Sequence, residues 1–123
     1  MVDFPKLRLS RLTKDIDLLI PFYRDGLGFE ILDRSENVDG MDTILFGHKD
    51  WPYQFEFSHH RGDDQAPRAP SMEYFRVFCI EDGAQWNKMM HSMFEAGVQQ
   101  VTPPAQYVQG KYPCVAYEDA DGY

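Results

Sequence analysis

Three short alternations in this 123-residue chain each gather residues able to bind or activate a small molecule on one side of a strand. In Leu7-Arg8-Leu9-Ser10 the polar pair alternates with leucines. In Tyr53-Gln54-Phe55-Glu56-Phe57, Gln54 and Glu56 alternate with three rings, and Tyr74, Arg76 and Phe78 alternate with Phe75, Val77 and Cys79. Successive side chains of a strand point to opposite faces, so each set shares a face. Arginine's planar donor fork suits carboxylates and other oxyanions, which makes Arg8 and Arg76 candidates for an anion clamp. Glu56 is the catalytic candidate, as a general base that needs no metal. The same residues also read as an internal Arg8–Glu56 or Arg76–Glu56 ion pair that satisfies a buried charge. Both readings stand at this level. Ser10, Gln54, Tyr74, Phe78 and Tyr117 complete the ligand-binding candidates. Trp51, Tyr53, Tyr107 and Tyr112 offer rings for a planar ligand, or for rim packing.

Other chemistries find little support. There is no nucleophile elbow, glycine-rich phosphate loop or CxxC pair. His48, His59 and His60 fall at or beyond strand ends, and His91 falls on a helix. His59-His60 beside Asp63-Asp64 reads as a solvated loop before it reads as a metal cluster. Met89, Met90 and Met93 sit at helical spacing, where core packing is the default.

A formal charge of −8 argues against nucleic acid, which requires a basic face. The longest apolar run, Leu18-Leu19-Ile20, is far from spanning a bilayer, and residues 1–6 lack a signal-peptide core. A cytoplasmic protein without membrane partners is expected, with Cys79 and Cys114 as buried reduced thiols. Its length and 43% hydrophobic content fit one α+β domain.

The elements that must position the candidates come in two similar runs. Leu7–Leu12 reads as a strand. A helix capped by Thr13 or Asp15 follows, with Ile16, Leu19, Ile20 and Tyr23 at helical spacing and an end at Gly26 and Gly28. Strands are expected over 29–34, 41–47 and 51–58, with Asp39-Gly40 as a hairpin turn. After a polar linker at 59–71 the order restarts. A strand over 74–80 leads through Glu81-Asp82-Gly83 to a helix with Trp86, Met89, Met90, Met93 and Phe94. Ala96-Gly97-Val98 ends that helix, and strands over 99–102 and 112–118 follow. Module one covers about 5–60 and module two about 72–123 of this duplicated domain.

Asp15-Ile16-Asp17-Leu18-Leu19-Ile20-Pro21-Phe22-Tyr23-Arg24-Asp25-Gly26-Leu27-Gly28-Phe29-Glu30 resembles the first helix of the vicinal oxygen chelate superfamily, the glyoxalase/bleomycin resistance protein/dioxygenase group. Glu118-Asp119-Ala120-Asp121-Gly122-Tyr123 is similar to that group's turn before its last strand. The resemblance implies two βαβββ modules forming curved mixed sheets around a cleft, with the last strand absent or truncated here. It also implies a divalent metal held from the first, fourth, fifth and eighth strands. Those positions fall at Arg8, at Glu56, at or beside Tyr74 with Glu73 adjacent, and beyond Tyr123. Arginine does not ligate metals, so no cofactor is expected, although a divalent metal remains possible with Glu56 as a ligand.

A small-molecule-binding protein of the glyoxalase/bleomycin-resistance type is therefore the leading expectation. A lyase- or dioxygenase-like enzyme on a small substrate, anionic or neutral, is the second. A regulatory or interaction module is the third. The resemblance further implies a homodimer, and an unpaired sheet edge in module two would favour pairing.

Overall fold

The computed structural model describes residues 5–62, 68–71, 74–103 and 113–123. Asp63, Asp64, Glu73, Tyr107 and Tyr112 lie outside the described residues. The first half is a four-stranded mixed sheet in the order β1-β4-β3-β2, from β1 (Leu7–Leu12), β2 (Glu30–Val38), β3 (Met41–Gly47) and β4 (Tyr53–His60). β1 runs parallel to β4 and the other pairings are antiparallel. Asp39 and Gly40 both take positive φ, 52° and 79°, as a two-residue hairpin turn requires.

The expected first helix is not one regular helix. Residues Ile16–Leu19 form a 3-10 turn and Pro21–Gly26 a π-helical segment. Pro21 lacks the N–H that would continue an α-helical ladder, so the Ile20 N–H closes the first turn onto the Asp17 carbonyl. Asp15 is the cap, accepting from the Asp17 N–H at 3.0 Å. Gly28, at φ 80°, reverses the chain and returns the Phe29 N–H to the Tyr23 carbonyl at 2.9 Å.

These turns bury Ile16, Leu19 and Tyr23 against Phe29, Ile44, Phe46, Phe55 and Phe57 on one sheet face. Tyr23 is the hub, with its ring centroid 4.8 Å from that of Phe57 and 5.5 Å from that of Phe46. Such contacts add to the stabilisation from area burial.

The second half differs from the sequence expectation. Residues 74–80 join no sheet; Phe78 instead sets its ring 6.0 Å from Phe29 and 6.1 Å from Phe55. Helix α1 (Gly83–Glu95) forms as expected, with Asp82 accepting from the Ala84 N–H at 3.2 Å. Met93 is buried, whereas Phe94, expected on the same stripe, is 80% exposed. A Cβ on Gly26 would lie 2.6 Å from the Met93 sulfur, so the missing side chain lets α1 approach the first half. β5 (Gln99–Val101) and β6 (Ala116–Glu118) pair antiparallel. Among the described residues the second half thus shows a helix and two short strands, within an α+β fold whose sheets do not close. Cys79 and Cys114 are exposed rather than buried. No described helix is long and apolar enough to cross a membrane.

The final turn is tied to β1 by Arg11. Its Nη1 donates to Asp121 Oδ2 at 2.7 Å and its Nη2 to Asp119 Oδ2. Its guanidinium lies 4.6 Å from the Phe57 ring centroid and 4.0 Å from that of Tyr123. Thr13, one of the two expected helix caps, donates its hydroxyl to Asp121 Oδ2 at 2.6 Å. Tyr23 donates to Asp119 Oδ2 at 2.7 Å. Burial, then the neighbouring Asp119 charge, hold the Tyr23 phenol well above its usual range.

Arg11→Met should lower stability by about 3–5 kcal/mol in chemical denaturation, because it strands two buried carboxylates. Tyr23 keeps its proton in the fold at a pH where the unfolded chain, with a pKa near 10, loses it. Its contribution is therefore complete below about pH 10 and lost as pH rises further. Tyr23→Phe should flatten the alkaline decline while lowering the neutral-pH baseline.

Candidate functional site

The parallel pairing of β1 with β4 sets Arg8 beside Gln54 and Ser10 beside Glu56. All four project from the sheet face opposite Phe55 and Phe57. Arg8 donates through Nε and Nη2 to Gln54 Oε1, at 3.3 and 3.2 Å, and through Nη1 to Glu56 Oε2 at 3.2 Å. Ser10 Oγ donates to Glu56 Oε1 at 2.9 Å. Gln54 is buried, Glu56 is half-buried and the Arg8 side chain is 51% exposed. The cluster is a fixed, hydrogen-bonded patch on an open face.

The remaining candidates lie elsewhere. Phe78 packs against the aromatic face, with Tyr53 and Phe55, away from Glu56. Tyr74 sets its ring edge against Tyr123 at 5.4 Å, and Arg76 sits 5.0 Å over Tyr74. Arg76 also borders, with Arg11, Tyr23 and Phe57, a cavity of about 20 Å³. That holds about one water molecule. Arg8 and Arg76 therefore do not converge. The alternation over 74–79 is real, but with no strand pairing to orient it the polar set turns to the aromatic side, as a one-residue slip would do. Tyr117 donates to the Met90 sulfur at 3.3 Å and faces α1, where burial raises its phenol pKa. Trp51 and Tyr53 stack on each other at 5.6 Å, at the margin of the core.

Of the four strand positions for a metal, Arg8, Glu56 and Tyr74 lie among the described residues, and Tyr74 packs on Tyr123 rather than beside Glu56. Arg8 places a cation against Glu56 where the first ligand would stand, and both Glu56 oxygens already accept hydrogen bonds. No group of three or more His, Cys, Asp or Glu suited to a metal occurs among the described residues. His59 instead sets Nδ1 3.2 Å from the Thr13 carbonyl, and His48 lies tilted against Trp51 with ring centroids 5.0 Å apart. The described residues do not fit the metal.

The tie that Arg11 and Thr13 make to Asp121 has no counterpart in the sequence pattern, which offers Thr13 only as a helix cap and Asp121 only as part of a turn. Arg11 is a lone charge on the leucine side of β1, and its carboxylate partners lie at the far end of the chain.

Residues 7–58 match the family model of the YycE-like N-terminal domain. The uncharacterized protein YycE of Bacillus subtilis is 26% identical over 118 residues, covering 96% of this chain and 83% of that protein. A crystal structure of a Bacillus subtilis YycE protein of unknown function, grouped by name with glyoxalase and fosfomycin resistance proteins, superposes with a TM-score of 0.81 at 26% identity, over 96% of this chain and 84% of that one. The trypanothione-dependent glyoxalase I of Leishmania major gives 0.68 at 17% identity, over 98% and 83%. A variant of the fosfomycin resistance protein FosX from Listeria monocytogenes, complexed with Mn(II) and 1S,2S-dihydroxypropylphosphonic acid, gives 0.60 at 13% identity, over 98% and 87%. The last two likenesses concern the fold alone.

Proposed function

We propose that this chain is a member of the vicinal oxygen chelate superfamily and a small-molecule-binding protein of the glyoxalase/bleomycin-resistance type that works without the superfamily's divalent metal. The observation that carries this reading is the 3.2 Å contact between Arg8 Nη1 and Glu56 Oε2. A FosX relative is complexed with Mn(II), whereas here a guanidinium stands against the fourth-strand carboxylate. A permanent cation leaves no charge for a metal to neutralise at Glu56. The ligand face is then Arg8, Ser10, Gln54 and Glu56.

We favour binding over turnover with Glu56 as general base. Each of its oxygens already accepts a hydrogen bond, one of them from a cation, so the side chain is committed to holding Arg8 and Ser10 in place. The reading includes a homodimer, supported by the short β5–β6 pair, which has no further strand partner among the described residues.

A thermal-shift screen of small molecules should find compounds that raise the melting temperature, following RT ln(1 + [L]/Kd), and Arg8→Ala should abolish that rise. Elemental analysis of the purified protein should find Zn, Ni, Mn and Fe well below one per chain. Stoichiometric metal that is lost in Glu56→Gln would overturn the metal-free reading. Light scattering at micromolar concentration should give twice the chain mass, and a clean monomer mass would count against the dimer.

A further inference from the structure

Gln54 is 8% exposed, yet only its oxygen is bonded. Arg8 fixes which end of the amide is which. Arginine can only donate, so the atom 3.2 and 3.3 Å from Nη2 and Nε must be the carbonyl oxygen. The Gln54 NH2 group is left with no partner among the described residues. No buried side-chain nitrogen or oxygen lacks a partner there, so this nitrogen reaches the surface. The backbone at Gly47 passes close to the side chain: a Cβ there would lie 3.3 Å from Gln54 Cγ and 3.1 Å from Leu32 Cδ1. The amide is therefore oriented, with its donor end unspent.

Arg8 has donors to spare as well. Three of its five N–H groups serve Gln54 and Glu56, which leaves one on each terminal nitrogen. Gln54 Oε1 accepts from two Arg8 nitrogens, so the unspent donors of the two residues belong to one hydrogen-bonded pair. Glu56 has both oxygens engaged by Arg8 and Ser10. What such a surface lacks is an acceptor with two oxygens.

We infer that Gln54 and Arg8 together recognise the carboxylate of a small ligand, and that the Gln54 amide N–H sets specificity for the anion over its uncharged amide. The inference rests on the ligand face named above and goes further in naming the ligand's chemistry. The ligand's two oxygens accept from an Arg8 N–H and a Gln54 N–H. Glu56 stays paired with Arg8 and Ser10, so the bound carboxylate leaves one negative charge in excess, which the unspent N–H donors of Arg8 and Gln54 spread. A carboxamide presents one acceptor and a competing NH2, which meets donors with a donor.

Benzoate and benzamide, matched in shape, are suitable probes for titration into 15N-labelled protein. The side-chain NH2 signals of Gln54 should move saturably with benzoate and stay still with benzamide. Gln54→Glu keeps an acceptor for Arg8 but replaces the donor by a carboxylate oxygen. It should weaken benzoate by on the order of tenfold or more while leaving the melting temperature at or above that of the unchanged protein. Equal benzoate affinity in Gln54→Glu, unmoved Gln54 signals, or equal binding of benzamide would each overturn the inference. If neutral compounds bind and Arg8→Ala abolishes their binding, the ligand face stands and only the carboxylate assignment falls. If no compound of any charge perturbs Arg8, Ser10, Gln54 or Glu56, the ligand face falls too.

Discussion

Arg11 is the hinge on which the arrangement turns. One guanidinium answers two carboxylates, so the buried cluster carries an excess negative charge that other donors must spread. Tyr23 and Thr13 supply hydroxyls, and the backbone N–H groups of Asp121 and Tyr123 bond Asp119 Oδ1 at 2.9 and 3.1 Å. Buried ion pairs contribute stability only when such extra bonds satisfy the remaining lone pairs. Here they do, and the last residues of the chain are locked onto its first strand.

That lock bears on the ligand face because β1 serves two purposes through alternation. Arg11 and Leu9 face the aromatic core, while Arg8 and Ser10 face away. Holding Arg11 on Phe57 fixes the register of β1 against β4, and the register sets Arg8 opposite Gln54 and Ser10 opposite Glu56. A slip of one residue would exchange the faces and scatter the cluster.

Much of the first half is legible from residues alone. The alternation in Tyr53-Gln54-Phe55-Glu56-Phe57 predicts both faces of β4, and Leu7-Arg8-Leu9-Ser10 predicts the partner face of β1. The internal Arg8–Glu56 pair, one of two readings open at that level, forms, and the Arg76–Glu56 pair does not. The segment 74–80 misleads because alternation reports that side chains take turns, not which neighbour they meet. Pro21 falls inside the run read as one helix, and whether the helix tightens or widens around it depends on how Tyr23 must reach Phe46 and Phe57. The Arg11 lock is the least legible part, since only the folded chain brings residues 11 and 119 together.

The central proposal is that the Arg8 guanidinium, paired with Glu56, takes the place of a divalent metal on this face. Its most direct test is paramagnetic relaxation in 15N-labelled protein titrated with Mn(II), read at the amides of Arg8, Ser10, Gln54 and Glu56. With Arg8 paired to Glu56, those four amides should broaden no more than others of equal exposure up to equimolar Mn(II). Selective broadening centred on Glu56, saturating at one ion per chain, would contradict the account.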